Sequence, residues 1–482
     1  MNGNFYYICA KIQFAMIIGR EKEIAELKRA YASKYSEFVA VTGRRRVGKT
    51  FLIREVFNYK FTFQHSGLAN QKTRQQLKEF QMSLVKCGMK KCRVPQDWFD
   101  AFFLLSEFLD GCKKGKKVVF IDEMPWMDAP RANFVSALEH FWNGYASARK
   151  DILLIICGSS TSWIINNIYK NHDGLHNRVT ERINLQPFTL RECMQYAKSR
   201  GLVLSKRQIA EGYMVMGGVP FYWAQLQKGL SLDQNIDKLF FAPDGKLRYE
   251  YNELYNSLFK NPEPYIQIVN ALGKKKIGMT RDEILTATGI ADNGKFKVYL
   301  DDLTACGFVG TYNTFGKPKN NLVYQLKDQY TLFYFKFLAN PEINDSDYWM
   351  HSIDTSQRNS WEGLAFEQLC FAHIPQIKQK LGISGVSSAV YSWQVKEDGA
   401  QIDMLIDRAD GVVNVCEIKF SRNPYIISKE VSENVMHKMD RFSEVSKTLK
   451  AVHLTMITAM PLVHNEYWGD VQSEVTLDDL LK

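Results

Sequence analysis

Two stretches of the chain and the pattern around them predict an α/β fold built on a parallel sheet. Gly43 to Thr50 reads G-x-x-x-x-G-K-T, set between the apolar run Phe38-Val39-Ala40-Val41 and a helical pattern carrying Leu52, Ile53 and Val56. Val118-Val119-Phe120-Ile121 is a continuous apolar run, as suits a central strand covered on both faces, and it ends in Asp122-Glu123. Around these two stretches, strand-like and helix-like segments alternate. That alternation implies a doubly wound sheet with its ligand at the carboxyl ends of the strands.

Each residue type in the first stretch has a chemical reason. Gly43 and Gly48 allow backbone turns that a Cβ forbids, so the loop amides of Arg44, Arg45, Arg46 and Val47 can turn inward onto a polyphosphate. Lys49 adds a mobile charge for the β and γ phosphates, and the Thr50 hydroxyl is placed to ligate Mg²⁺. Phe51 follows in the first turn of a helix whose dipole favours negative charge at that end. Asp122 fits the acid that holds Mg²⁺ through water, and Glu123 the acid that polarises the attacking water.

At 482 residues the chain exceeds one ordinary core and should form about three domains. Its 45% hydrophobic and 24% charged residues exclude a disordered or fibrous protein. The cysteines are scattered singly, and the closest pair, Cys87 and Cys92, lacks a second pair to complete a zinc site; a reducing cytoplasm is expected. A net charge of +10 suits a polyanionic partner and equally suits plain solubility. The apolar stretch from Tyr6 to Ile18 is broken by Lys11 and Gln13, so neither a signal peptide nor a membrane span is expected, and Met16 would serve as the start of the folded part.

In chain order, a helix through Ala25, Leu27 and Tyr31 precedes the loop strand and is placed to cover a nucleotide base. Phe61-Thr62-Phe63 reads as a short strand, followed by helices through Leu77, Phe80 and Leu84 and from Trp98 to Leu109. The strand Ile152 to Cys157 ends in Gly158-Ser159-Ser160, which puts Ser159 where a γ-phosphate or the attacking water would be sensed. Arg178 and Arg182 come just before Ile183-Asn184-Leu185. Each offers a phosphate contact, in cis or from a neighbouring subunit, or an ordinary salt bridge.

Residues 256–330 read as a winged helix. Tyr265 to Leu272 is its first helix, Thr280-Arg281-Asp282-Glu283 a capping box opening the second, and Gly294 to Ala305 the third. The hairpin from Phe308 to Leu326, with Gly316-Lys317-Pro318-Lys319 at its tip, is the wing. Lys295, Lys297, Lys317 and Lys319 are available to phosphates, while Asp301 and Asp302 on the third helix oppose that use; a packing module is the alternative.

The last region carries a second constellation. Glu362 and Glu367 lie on a helix from Trp361, and Gln401 to Ile406 and Val412 to Lys419 flank a turn at Asp410-Gly411. Strand periodicity puts Glu417 and Lys419 on one face. Pairing of the two runs brings Asp403 near Glu417, an arrangement suited to Mg²⁺ or Mn²⁺ with Lys419 steadying a hydroxide or a phosphodiester charge. The alternative is a solvated face with a surface ion pair.

Gly43 to Thr50, Phe120-Ile121-Asp122-Glu123-Met124-Pro125-Trp126, Gly158-Ser159-Ser160 and Gly217-Gly218-Val219-Pro220 together resemble the archaeal-type ATPase family, AAA+-like P-loop NTPases of the STAND group. The Gly19-Arg20-Glu21-Lys22-Glu23 stretch and the segment from Arg178 to Phe188 are similar to that family's pattern as well. The resemblance implies ATP with Mg²⁺, and a helical lid containing Gly217 to Pro220 close to the nucleotide. Glu367, Asp403, Glu417 and Lys419 resemble the helix acid, the bend acid and the E-x-K pair of the PD-(D/E)xK nuclease superfamily, which that ATPase family often carries at its C-terminus. The expected organisation is an ATPase core at 1–190, a helical lid at 191–255, a winged helix at 256–335 and an α/β restriction-endonuclease-like domain at 336–482. The expected function is ATP hydrolysis controlling a nuclease-like domain that acts on nucleic acid, DNA ahead of RNA, in a cytoplasmic protein that is open to homo-oligomers. The alternative is a regulatory ATPase whose last domain binds nucleic acid or protein without cutting.

Overall fold

The computed structural model describes residues 17–482 except 171–173, 176, 260, 276, 314, 316–321, 341–342 and 396–398. The expected leader and the wing-tip residues Lys317 and Lys319 lie outside the described residues. The chain divides into two compact units, one ending at Pro187 and the other running from Phe188 to Lys482. Among the described residues no helix is long and apolar enough to cross a membrane.

In the first unit the strands β1 (Glu37–Thr42), β2 (Phe63–Ser66), β3 (Lys117–Asp122), β4 (Ile152–Cys157) and β5 (Glu181–Asn184) form one parallel sheet in the order β2-β3-β4-β1-β5. Every residue of β3 and β4 is buried, because the sheet is covered on both faces. On one face α1 (Glu21–Ala32) and α2 (Lys49–Val56) contribute Leu27, Leu52 and Ile53 to a cluster with Val39, Val41 and Ile155. On the other, α3 (Thr73–Lys86), α4 (Trp98–Asp110) and α5 (Phe134–Phe141) bring Phe80, Trp98 and Phe134 against Phe63 and Ile121. Burial of each large side chain contributes roughly 1.5–3 kcal/mol. The short strand expected at 61–63 begins at Phe63 instead: Phe61 packs tilted against Phe120 with ring centroids 5.4 Å apart, and the Thr62 N–H leads into the ladder by donating to Val118 O at 2.9 Å.

In the second unit, α6 (Leu190–Ser199) and α7 (Lys206–Met216) both open with capping boxes. Gly217 ends α7 with φ 60°, and a Cβ on Gly218 would lie 1.8 Å from Phe188 O, so only glycine fits that approach. Pro220 occupies the first position of the next short helix, α8 (Pro220–Trp223), where its missing N–H costs nothing.

Three helices, α9 (Glu263–Gly273), α10 (Arg281–Thr288) and α11 (Gly294–Ala305), precede a hairpin of β7 (Val309–Asn313) and β8 (Leu322–Leu326), and the two-residue strand β6 (Met279–Thr280) pairs with β8. The capping box forms as the sequence predicts, with the Thr280 N–H donating to the Glu283 carboxylate at 2.9 Å. Asp302 points inward, accepting from the Tyr265 hydroxyl at 2.6 Å. Phe315, at the described base of the hairpin tip, packs edge-on against Tyr391 and Phe442 with centroids 5.6 and 5.0 Å away.

Tyr391 belongs to a five-stranded mixed sheet. Its strands β9 (Ser388–Gln394), β10 (Gln401–Arg408) and β11 (Val412–Lys419) are antiparallel neighbours, and β12 (Ala451–Thr458) and β13 (Ser473–Thr476) continue it in parallel from β11. The helices α12 (Ser356–Ala372) and α13 (Lys429–Ser446) bury Phe366, Leu369, Val435 and Phe442.

Candidate functional sites

The phosphate loop leaves β1 at its carboxyl end. Gly43 has φ 137°, and a Cβ there would sit 2.3 Å from Leu185 O, so the loop can pass that strand end only without a side chain. The Gly43 N–H donates to the Thr161 hydroxyl at 3.2 Å. Lys49 is buried and donates to the carbonyls of Gly43 and Arg44 at 2.8 and 3.0 Å, which folds the ammonium across the loop. Arg44 and Val47 are buried, Arg45 and Arg46 half-buried, and Arg46 takes a left-handed φ of 69°. Phe51 is 43% exposed at the start of α2.

Because β4 lies between β1 and β3, the loop and the acidic strand end face one another across its carboxyl end. The Thr50 hydroxyl donates to Asp122 Oδ2 at 2.8 Å, and the Glu123 N–H donates to Asp122 Oδ1 at 2.9 Å. A hydroxyl and a carboxylate meeting here are hard oxygen donors of the kind Mg²⁺ takes together with water and phosphate. Glu123 has a left-handed φ of 50°, a conformation costing a non-glycine residue of order 1 kcal/mol. Gln76 braces the turn that follows, its amide donating to Trp126 O at 3.0 Å and Leu68 O at 2.6 Å. Ser159 donates to Glu123 Oε2 from its N–H at 3.2 Å and its hydroxyl at 2.9 Å, so β4 supplies a polar residue beside the acids as its sequence suggested.

Sequence reading did not single out Cys157. Its buried thiol donates to Asp122 Oδ1 at 2.6 Å, and burial first, then the Asp122 charge, pushes it well above the ordinary thiol range. Its position at the last residue of β4, next to the strand ending in the acid, was the available signal. Arg178 is placed differently from the expected phosphate contact. It is exposed in the turn entering β5, whose Thr180 N–H bonds Phe38 O near the start of β1, and in a parallel sheet that is the end opposite the loop. Arg182 lays its guanidinium over the Tyr169 ring, 4.4 Å from the centroid.

In the second unit the hairpin forms as expected, with Met404 opposite Cys416, which makes Asp403 and Glu417 neighbours. Asp403 Oδ2 accepts from the Ile418 N–H at 3.1 Å. Burial and then the adjacent Glu417 charge raise the Asp403 carboxyl. Glu417 is also desolvated by burial, but Lys419 and Lys438 outweigh that and hold it below the usual range. Lys419 Nζ donates to Glu417 Oε1 at 2.7 Å and Lys438 Nζ to Oε2 at 2.8 Å. Glu367 is half-buried on α12, and both it and Asp403 act on the buried Cys370 thiol, whose rise is due mainly to burial. Lys438 was not singled out in the sequence, although it shares a helical stripe with Val431, Val435 and Phe442.

The fit to a metal is poorer here. Among the described residues no three His, Cys, Asp or Glu side chains are grouped to hold an ion, and both oxygens of Glu417 are engaged by ammonium groups. The Mg²⁺ or Mn²⁺ expected at Asp403 and Glu417 therefore has two carboxylates and no ready cage.

Residues 17–226 match the family described as an ATPase domain predominantly from Archaea. An uncharacterized protein of Methanocaldococcus jannaschii is 24% identical over 361 residues, spanning 73% of this chain and 76% of its own. Among solved structures, a Walker-type ATPase of Pyrococcus abyssi aligns with a TM-score of 0.48 at 16% identity, covering 66% of this chain and 95% of that one. The ORC2 protein of Aeropyrum pernix aligns at 0.38 and 12% identity, covering 73% and 94%. The stretch from 17 to 226 is thus an archaeal-type ATPase domain carrying a phosphate loop.

Proposed function

We propose that this ATPase domain binds ATP at Gly43 to Thr50 and hydrolyses it with Mg²⁺, and that hydrolysis controls a C-terminal domain acting on nucleic acid. The observation carrying the first part is the Thr50 to Asp122 hydrogen bond of 2.8 Å, which unites loop and acid in one place. Thr50 and Asp122 would hold Mg²⁺, which when bound spreads positive charge over the phosphate oxygens. The loop amides cradle the phosphates, and Lys49 turns from the Gly43 and Arg44 carbonyls to the β and γ oxygens. Glu123 accepts a proton from the attacking water once it is released from Ser159, which then reports the γ-phosphate. Arg178, exposed at the far end of the sheet, is placed to serve a neighbouring subunit in a homo-oligomer rather than the phosphate of its own loop. Phosphate release by wild type and Lys49→Ala tests this reading; equal rates would remove it.

In the second unit, residues 191–255 act as the lid and 256–335 as a winged helix whose α11 offers the exposed Lys295 and Lys297 to DNA. The convergence of Asp403, Glu417 and Lys419 supports a nuclease-like identity for the last domain. The second reading, binding without cleavage, is favoured by the two ammonium groups on Glu417. Fragment release from labelled DNA with Mg²⁺ or Mn²⁺ separates the two. Wild-type protein that cuts no better than an Asp403→Ala, Glu417→Ala protein is a binding module.

A further inference from the structure

Two features of the C-terminal sheet bear on what its site can hold. One is the second ammonium on Glu417. Lys419 donates to one oxygen of that carboxylate, and Lys438 reaches in from α13 to the other at 2.8 Å, with its side chain only 16% exposed. The other is Thr458, the last residue of β12. It is fully buried, and among the described residues its hydroxyl has no hydrogen-bond partner. A hydroxyl buried unpaired is destabilising, and one kept at a strand end beside charged groups points to a ligand that completes it.

The register joins the two features. Thr458 is the direct partner of Lys419 in the parallel β11–β12 pair, so the two side chains leave the sheet on the same face. Glu417, two residues earlier on β11, shares that face and carries Lys438. An ammonium has three N–H donors, and Glu417 takes one from each lysine. The remaining lysine donors and the unpaired hydroxyl make a set that no carboxylate of the site uses up.

We propose that Lys438 and Thr458 complete the C-terminal site as phosphate-contacting residues, and that together with Lys419 they take a phosphate of a nucleic-acid backbone. The inference rests on the reading above that this domain acts on nucleic acid. Lys438 supplies charge from a helix, and its long arm can shift from Glu417 to the ligand. Thr458 supplies a donor that gives up no hydrogen bond when a shift of the Lys438 arm lets the ligand in.

The test is fluorescence anisotropy of a labelled DNA duplex with the full chain in EDTA, titrated across salt concentrations, beside thermal melts. Thr458→Val keeps shape and removes the hydroxyl; it should melt no lower than wild type, because an unpaired buried group is gone, yet bind DNA about fivefold more weakly. Lys438→Gln should lose about as much and lower the slope of log K against log salt by about one, whereas Lys438→Arg keeps the slope. Inorganic phosphate competing as well as unlabelled duplex would make the site one for free phosphate and overturn the nucleic-acid assignment. Thr458→Val and Lys438→Gln proteins that melt normally and bind with wild-type affinity and slope overturn the inference. Wild-type protein that does not bind the duplex brings down the underlying reading instead.

Discussion

The two acidic sites of this chain are compensated in opposite ways. Asp122 is held by neutral donors, the Thr50 hydroxyl, the Cys157 thiol and the Glu123 amide, while the nearby Lys49 is occupied with loop carbonyls. Glu417 is held by two full positive charges, Lys419 and Lys438, with Asp403 pressed beside it. The first arrangement keeps negative charge available for an incoming cation. The second already balances its charge from within, so an added cation there displaces something, whereas an added anion meets lysines and an unpaired hydroxyl. On the functions proposed above, similar residue types would serve a metal-bound triphosphate at one site and a phosphate alone at the other.

The largest expected effect tests the first half of that contrast. Lys49→Ala or Glu123→Gln should lower phosphate release from ATP by about two to three orders of magnitude, while Glu417→Gln leaves it unchanged. A Glu417→Gln protein with equally low ATPase would show that the sites are not separable.

Stability sharpens the comparison next. Glu417→Ala leaves two lysines without their shared carboxylate and should destabilise the second unit by about 3–5 kcal/mol in urea unfolding. Asp122→Ala strands only neutral donors and should cost the first unit about 1–3 kcal/mol. Equal losses would mean that the ammonium groups on Glu417 are incidental.

Each unit also contains a buried neutral histidine, His65 in the first and His373 in the second, and burial pushes both down to about 4. Between the ordinary histidine value of about 6.5 and 4, the unfolded chain binds a proton that the folded chain refuses. The stabilisation from each is therefore complete above about 6.5 and lost as the pH falls toward 4. At pH 5 each should cost about 2 kcal/mol, seen as a falling melting temperature that His373→Leu flattens for the second unit alone.

Asp403→Asn should have a smaller effect of opposite sign. Its carboxyl is raised in the fold, so ionisation costs stability as pH rises through that raised value, and the amide removes the cost. Melting at neutral pH should rise slightly; a fall would mean that the charge of Asp403 is needed by the Ile418 N–H. The smallest effect is expected for Arg178→Ala, which should leave phosphate release within about twofold in dilute protein. A larger loss that grows with protein concentration would assign the arginine to a neighbour.

The phosphate loop was legible in the sequence because its chemistry is local: glycines, lysine and threonine act within eight consecutive residues. Asp122 and Glu123 were legible because the apolar strand that ends in them follows a phosphate loop in the same chain, and the Asp403 to Glu417 pairing because the Asp410-Gly411 turn fixes the register. Cys157, Lys438 and Thr458 were not legible, since each matters only through a strand or helix remote in sequence. Arg178 shows the same limit from the other side. Nearness to a strand was readable, but which end of the sheet it meets depends on the pairing of β5 with β1.

Phe315 has a practical consequence. Its ring fills the space between Tyr391 and Phe442, so the hairpin and the final sheet share a seam that a cut near residue 335 would open. A protein trimmed to its last domain would carry two uncovered aromatic rings and tend to self-associate, whereas a piece that begins ahead of α9 brings its own cover.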